Sequence, residues 1–289
     1  IAITGTNGKS TTAKILYDVL LDQKKDVRLV GNIGNPVLSQ KNISKNTIFV
    51  IEVSSYQLDY SKIFSSKYAI ILNISIDHIE RHKNLKNYIN AKFKLIDSQT
   101  KKCFAFVKKD DELINKKIKF SNFNSKIIKV DTKKNYRIFN KIDNRYFLNE
   151  TNKENLSFVF EVSKKLRLNI KSLIKTIQKF KGLKYRQQII LNKKNLTVIN
   201  DSKSTSFASS ISILKSNQNI YWLIGGIHKK NDKLNLPKRY FKNIKAFIFG
   251  KEKKFFNKEL KDKIPCENFM NLRSALTRII KLIKKNKLP

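Results

Sequence analysis

Short apolar runs alternate with stretches of helical repeat along the first half of the chain. Residues 1–4, 27–30, 48–53 and 68–73 are brief and rich in β-branched side chains, which predicts strands. Between the first two, Ile15, Leu16, Val19 and Leu20 fall on one face of a helix over residues 10–22. Leu85, Tyr88, Ile89 and Ile96 do the same over residues 84–98. Strands joined through helical crossovers imply an α/β fold around a mostly parallel sheet.

From Cys103 to Leu148 the signals are shorter and strand-like, ending in an expected hairpin around residues 141–144. Helices are expected near residues 152–166 and 170–180. A new pattern begins at about residue 183, with strands at 188–191, 196–199, 220–224 and 246–249 alternating with helices. This gives two domains, 1–182 and 183–289. The second reads as an incomplete Rossmann-like α/β unit, because another strand is expected after its last helix. Ile1 is not a methionine and already opens a core strand, so the chain is expected to be a piece of a longer protein.

Composition changes this picture little. The 289 residues carry a formal charge of +39. Charge of that size attracts phosphate polymers, but the lysines are spread from Lys9 to Lys287 with no basic block. A solvated surface and an anionic small-molecule substrate are expected, with neither nucleic acid nor membrane as partner. Cys103 and Cys266 lack disulfide or metal-ligand spacing and read as small buried hydrophobes. No apolar run approaches the roughly 18 residues of a membrane span, and no signal-peptide pattern is present, so a cytoplasmic location is expected; a monomer is expected as well.

The chemistry begins at the first strand. Residues 1–10, Ile-Ala-Ile-Thr-Gly-Thr-Asn-Gly-Lys-Ser, are a strand, a glycine loop, and Lys-Ser opening a helix. Such a loop turns successive N–H groups toward an anion, and the helix dipole adds to them. Gly5, Thr6, Asn7, Gly8, Lys9, Ser10 and Thr11 are therefore candidate ATP-binding residues, with Lys9 on the β- and γ-phosphates and Ser10 on Mg2+. The usual longer phosphate loop needs glycine at position 3, where Ile3 stands, so this is a shortened form.

Glu52 ends a hydrophobic strand, where open α/β sheets bind ligands, and is a candidate magnesium carboxylate. Asp77-His78 ends another, and a strand-end histidine is by itself more often structural than a ligand. His82 is expected on the surface. Lys92 shares the apolar helix face of Tyr88, Ile89 and Ile96, which suits a snorkelling side chain as well as a functional amine.

The short Gly-Thr-Asn-Gly-Lys-Ser loop resembles that of the Mur ligase family and of folylpolyglutamate synthases. Glu-Val-Ser-Ser-Tyr-Gln-Leu at 52–58, Gly-Asn-Ile-Gly at 31–34 and Asn-Asp-Ser-Lys-Ser-Thr at 200–205 narrow it to Mur ligases, and to the branch that adds D-glutamate. The resemblance implies a central ATP-binding domain followed by a C-terminal domain. It also implies an ATP- and Mg2+-dependent ligase acting on UDP-N-acetylmuramoyl-L-alanine and D-glutamate in peptidoglycan synthesis.

Residue roles follow from the same resemblance. His78 would hold a second magnesium, and Lys92, within Asn90-Ala91-Lys92, would be carbamylated and join it. Lys9, Glu52, His78, Lys92 and Lys203 form the implied catalytic set, with Ser10, Glu52, His78 and Lys92 on metal. Asn152, Arg186 and Asp201 would contact nucleotide, and Asn32, Ser54, Thr205 and Lys229 the other substrates, with Lys230 an alternative to Lys229. The family histidines are replaced by Thr151 and Tyr185, and Asn152 is equally explained as a helix cap. The UDP-binding domain and the last C-terminal strands of the family are not matched, so this stretch alone is expected to be inactive. A rival from another class is a basic phosphate-loop ATPase that binds nucleic acid.

Overall fold

The computed structural model of the protein describes residues 1–134, 137–228 and 232–285. They form two compact units, Ile1–Leu183 and Lys184–Pro289. In the first, the order is β1 (Ala2–Thr4), α1 (Lys9–Asp22), β2 (Val27–Gly31), β3 (Ile48–Glu52), α2 (Ser55–Tyr60), β4 (Tyr68–Ile71), α3 (Ile79–His82) and α4 (Leu85–Asp97). It continues through β5 (Phe104–Lys108), α5 (Glu112–Lys119), β6 (Lys126–Val130), α6 (Glu150–Lys165) and α7 (Ile170–Lys179).

Six strands make one sheet in the order β2-β3-β1-β4-β5-β6, with parallel pairings throughout. Successive side chains leave a strand on opposite faces. Ala2, Ala69, Ile71, Ala105 and Val107 accordingly enter one apolar cluster with Phe93 and Ile96 of α4 and Ile114 of α5. Ile3, Ile70 and Phe106 enter another with Leu16 of α1, Val159 of α6 and Leu173 of α7. Both faces are covered because parallel strands require crossovers, and the crossover helices pack back on the sheet. Since β1 lies between β3 and β4, the winding reverses there, and the loops after these three strands open into one crevice.

Two expectations fail in the connecting region. The 103–148 stretch holds β5 and β6, but also the helix α5, whose cap is the Asp111 side chain accepting from Ile114 N–H. The hairpin around 141–144 is replaced by short 3-10 turns at Arg137–Lys141 and Arg145–Phe147. Asn144 explains the change. Its amide donates to the carbonyls of Ile177 (2.8 Å) and Phe180 (2.9 Å), tying the segment to the end of α7 rather than to a partner strand.

The second unit opens with an antiparallel hairpin, β7 (Gln188–Lys193) and β8 (Leu196–Asn200). Then come α8 (Phe207–Ser216), β9 (Ile220–Gly225), β10 (Ile244–Phe249), α9 (Lys253–Leu260), β11 (Cys266–Phe269) and α10 (Leu272–Lys284). The strands β11-β10-β9 form a parallel sheet. Ala246 and Ile248 pack with Phe207 and Leu214, while Phe247 packs with Ala275 and Ile279 of α10, the same alternation again. Cys103 is buried as expected, but Cys266 is only half-buried, its thiol donating to the Ile264 carbonyl at 3.3 Å. No helix among the described residues is long and apolar enough to cross a membrane.

Candidate active site

The loop between β1 and α1 is built to receive an anion. Gly8 precedes α1 in the left-handed region (φ 85°), no side chain caps the helix, and no acidic residue sits in its first turn. The first N–H groups and the positive end of the dipole thus face the loop without a competing carboxylate. A Cβ on Gly8 would lie 2.2 Å from Asn155 Oδ1, so both backbone and space demand glycine. Asn73, after β4, holds the loop from the other side: Thr6 N–H donates to its carbonyl and Asn7 N–H to its side-chain oxygen, each at 2.9 Å. Lys9 arches back, its ammonium donating to the carbonyls of Gly5 (2.9 Å) and Thr6 (2.8 Å). Ser10 and Thr11 are buried beneath the loop.

Lys9, Asn32, Ser54, Tyr56, His78 and Lys92 line one cavity of ≈ 190 Å³. Glu52 stands at the end of β3 and is 1% exposed. Asn32 clamps it, with Nδ2 donating to Oε1 and N–H to the main-chain oxygen, both at 2.9 Å. Its other oxygen, Oε2, is buried with no hydrogen-bond partner in the protein. A buried polar atom without a partner is costly, and a hard divalent cation is the partner a carboxylate beside a phosphate loop would take. Ser54 caps α2 in a reciprocal capping box with Gln57.

His78 adopts a left-handed conformation (φ 54°), and its Nδ1 lies 3.0 Å from the Tyr56 hydroxyl. Lys92 is the least expected in its surroundings: 1% exposed, donating to the Gly5 carbonyl at 2.8 Å, with its ammonium position 4.6 Å from the Tyr88 ring centroid. Burial, and then the nearby Lys9 cation, hold this amine well below the usual lysine range, with Asp77 opposing. The snorkelling alternative is therefore wrong.

His82 is not on the surface; it is 4% exposed and its Nε2 lies 3.0 Å from Ser55 Oγ. Positive φ at His78 (54°) and Lys83 (69°) brackets the single turn α3 and turns this ring inward against Tyr56 and Tyr88. The helix-cap explanation of Asn152 fails as well. The cap of α6 is Asn149, and Asn152 is buried in the first turn, donating to the Tyr146 carbonyl at 2.8 Å. Three residues on, Asn155 is buried beside Gly8 with its Nδ2 unpartnered. The Asn-x-x-Asn spacing was the available signal for it. Asn73 and Tyr88 were missed as loop supports, since neither carries a motif of its own.

In the second unit, the loop after β8 holds Asp201, Lys203 and Thr205. Gln187 N–H donates to Asp201 Oδ1 (2.9 Å), Ser204 Oγ to Oδ2 (2.6 Å), and Lys203 N–H to the Tyr185 carbonyl (3.0 Å). These bonds bring the segment of Arg186 against the loop. Lys203, Thr205 and Arg186 are exposed. Burial raises the Asp201 carboxyl above its ordinary value despite those bonds and the Arg186 charge. Lys229 and Lys230 lie outside the described residues.

A doubly covered parallel sheet with a short phosphate loop, an orphaned carboxylate and a buried lysine at its switch point agrees with the comparison to known families. Residues 3–176 match the Mur ligase middle domain, and the chain belongs to that family. It is 36% identical over 289 residues to the UDP-N-acetylmuramoylalanine--D-glutamate ligase of Rickettsia prowazekii, covering 93% of this chain and 64% of that protein. It is 34% identical over 283 residues to the enzyme of the same name from Rickettsia bellii, covering 91% and 62%. The chain thus spans a little under two thirds of the length of these relatives. Among solved structures it resembles MurF from Acinetobacter baumannii (TM-score 0.72, 15% identity, 99% of this chain and 70% of that one). MurC from Thermotoga maritima is similar too (TM-score 0.66, 18% identity, 99% and 76%). At such identity the likeness is one of fold.

Proposed function

We propose that the chain carries the chemistry of an ATP-dependent amide ligase that joins D-glutamate to UDP-N-acetylmuramoyl-L-alanine in cytoplasmic peptidoglycan synthesis. The observation that carries the reading is the orphaned Glu52 Oε2 beside an uncapped phosphate loop, in a chain whose relatives bear that ligase name.

In the proposed reaction an oxygen of the L-alanine carboxylate attacks the γ-phosphorus of ATP, and the bond to the β-phosphate oxygen breaks to release ADP. The amine of D-glutamate then attacks the acyl carbon, phosphate leaves with the carbon–oxygen electron pair, and the nitrogen loses a proton. The loop N–H groups and Lys9 bind and orient the β- and γ-phosphates, work that consists of positioning and charge stabilisation. Ser10, Glu52, His78 and a carbamate on Lys92 would hold Mg2+, which when bound neutralises charge on the transferring phosphoryl group. Lys203 would meet the same phosphoryl group, Asn152, Arg186 and Asp201 the nucleoside, and Asn32, Ser54, Thr205 and Lys229 the two remaining substrates.

The carbamate has support in chemistry. The uncharged amine is the form that attacks CO2, forming a nitrogen–carbon bond and releasing a proton. A buried lysine beside a second cation favours that form.

The test is ADP release by the full-length gene product, supplied with a panel of UDP-muramoyl acceptors and amino acids. Release should require both UDP-N-acetylmuramoyl-L-alanine and D-glutamate. Turnover with another pair, or nucleic-acid-stimulated ATP hydrolysis, would overturn the assignment.

A further inference from the structure

We propose that Tyr56 is a positioning residue for His78, its hydroxyl engaging Nδ1 and leaving Nε2 as the nitrogen that meets a divalent cation. The inference rests on the Mg2+ site proposed above for His78. His78 sits in a left-handed conformation at the mouth of α3, where no regular helix dictates the direction of its ring. The ring therefore depends on neighbouring side chains.

Tyr56 supplies that support. Its position in α2 is fixed by the capping box between Ser54 and Gln57. Its hydroxyl lies 3.0 Å from Nδ1, and the two rings meet edge to face at 5.0 Å and 62°. Tyr88, itself bonded to Thr6 of the phosphate loop at 3.0 Å, lies 6.4 Å from the His78 ring at 61°. A further group near Nδ1 is Glu80 Oε1 at 3.6 Å, on a side chain 77% exposed, and an ion pair so open to water holds a ring weakly. Nε2 points toward Asp77 Oδ2 at 3.4 Å.

A neutral imidazole carries one ring proton, and a cation on Nε2 requires that proton on Nδ1. The Tyr56 hydroxyl can accept from Nδ1–H or donate to a bare Nδ1, so it serves both tautomers, whereas a phenyl ring serves neither. Losing the partner of a metal-bound histidine costs about 10–100-fold in metal affinity.

The experiment uses the chain labelled with 15N-histidine. It has three histidines, so the side-chain nitrogens can be assigned. With Mg2+ and ADP, wild-type His78 should show a protonated Nδ1 and an unprotonated, metal-shifted Nε2. In Tyr56→Phe the Mg2+-induced change should shrink, and Mn2+ binding, measured by electron paramagnetic resonance, should weaken about 10-fold or more. Tyr60→Phe, altering a 75% exposed tyrosine, should change neither. Identical His78 spectra and Mn2+ affinity in wild type and Tyr56→Phe would overturn the role of Tyr56 and leave the cation site standing. A wild-type His78 indifferent to Mg2+ would remove the cation site and the inference with it. Should Tyr56→Phe melt early, the wild-type Mg2+ complex still tests the contact, because the Nδ1–H proton should show a nuclear Overhauser contact to the Tyr56 ring protons, and its absence would overturn the proposal.

Discussion

Replacing Gly8 by alanine tests the phosphate loop through stability, without any appeal to catalysis. Gly8 has φ 85°, and a side chain in the left-handed region costs about 1–2 kcal/mol. The new Cβ would also lie 2.2 Å from Asn155 Oδ1 and 3.0 Å from its Cγ. Asn155 is 2% exposed, packed in α6, so either the loop or the helix must move. Overpacking of this kind costs about 1–3 kcal/mol. Together the terms come to about 2–5 kcal/mol, a fall in Tm of roughly 5–15 °C for a unit of this size. Gly8→Ala, Asn155→Ala and the double variant should be melted side by side. The double variant relieves the collision but not the backbone strain, so the cycle should return a coupling of about 1–3 kcal/mol. Melting of Gly8→Ala within about 2 °C of wild type, on that scale, or a cycle without coupling, would refute the close approach of α6 to the loop.

Other expectations follow from the same geometry. Lys9→Ala in the full-length protein should keep its fold and lose on the order of 10²-fold or more in ADP release, and near-normal turnover would remove Lys9 from the site. Glu52→Gln keeps the Oε1 contact of Asn32, so it should melt like wild type while losing Mg2+-dependent ADP binding by calorimetry; undiminished binding would exclude Glu52 as a ligand. Lys92→Ala should be inactive and partly rescued by acetate, and bare lysine by mass spectrometry under bicarbonate, with activity intact, contradicts the carbamate. Asp201 has a folded pKa raised above its ordinary 3.8, so its contribution to stability is full below that value and lost as pH rises through the raised one. Asp201→Asn should therefore stabilise the second unit at neutral pH, with the advantage shrinking toward pH 4; an advantage independent of pH would show that the carboxyl's ionisation is not its source.

The sheet of the first unit was legible because its strands satisfy two rules at once. Runs such as Ile1 to Thr4 are apolar on both faces, and helical repeats separate them. The connecting region was not legible, because Asn144 reaches across to Ile177 and Phe180, more than thirty residues away, and no local period reports such a bond. At the site, the loop and the strand end gave Lys9 and Glu52, and the family resemblance alone gave His78 and Lys92; the cavity brings Lys9, His78 and Lys92 together, and Asn32 in its wall binds Glu52. His82 was misplaced because its burial depends on two positive-φ residues, and Lys83 is not of a type that announces that conformation, while at His78, a type enriched there, it is still the exception.

Among the described residues, several buried side-chain atoms lack a partner, and their chemistry separates them. Thr4, Thr12, Ser125 and Ser163 leave hydroxyl oxygens unpaired, and Gln99 and Asn115 leave amide oxygens. A hydroxyl rotates and offers two lone pairs, so the penalty is small and easily relieved by modest relaxation. Glu52 Oε2 differs in kind: a carboxyl oxygen cannot rotate away, because Asn32 fixes its twin, and leaving a charged group unpaired costs more than leaving a neutral one. Asn155 Nδ2 is similarly held, since the amide packs where a Gly8 side chain would stand. Glu52 Oε2 and Asn155 Nδ2 flank the same phosphate loop, one at the end of β3 and one in α6, whereas the amides of Gln99 and Asn115 are held by their own nitrogens at the Ser66 and Lys109 carbonyls. The carboxylate is the one charged group among these unpartnered atoms, and a cation seated against it beside an anion-shaped turn would supply the reason for leaving it so.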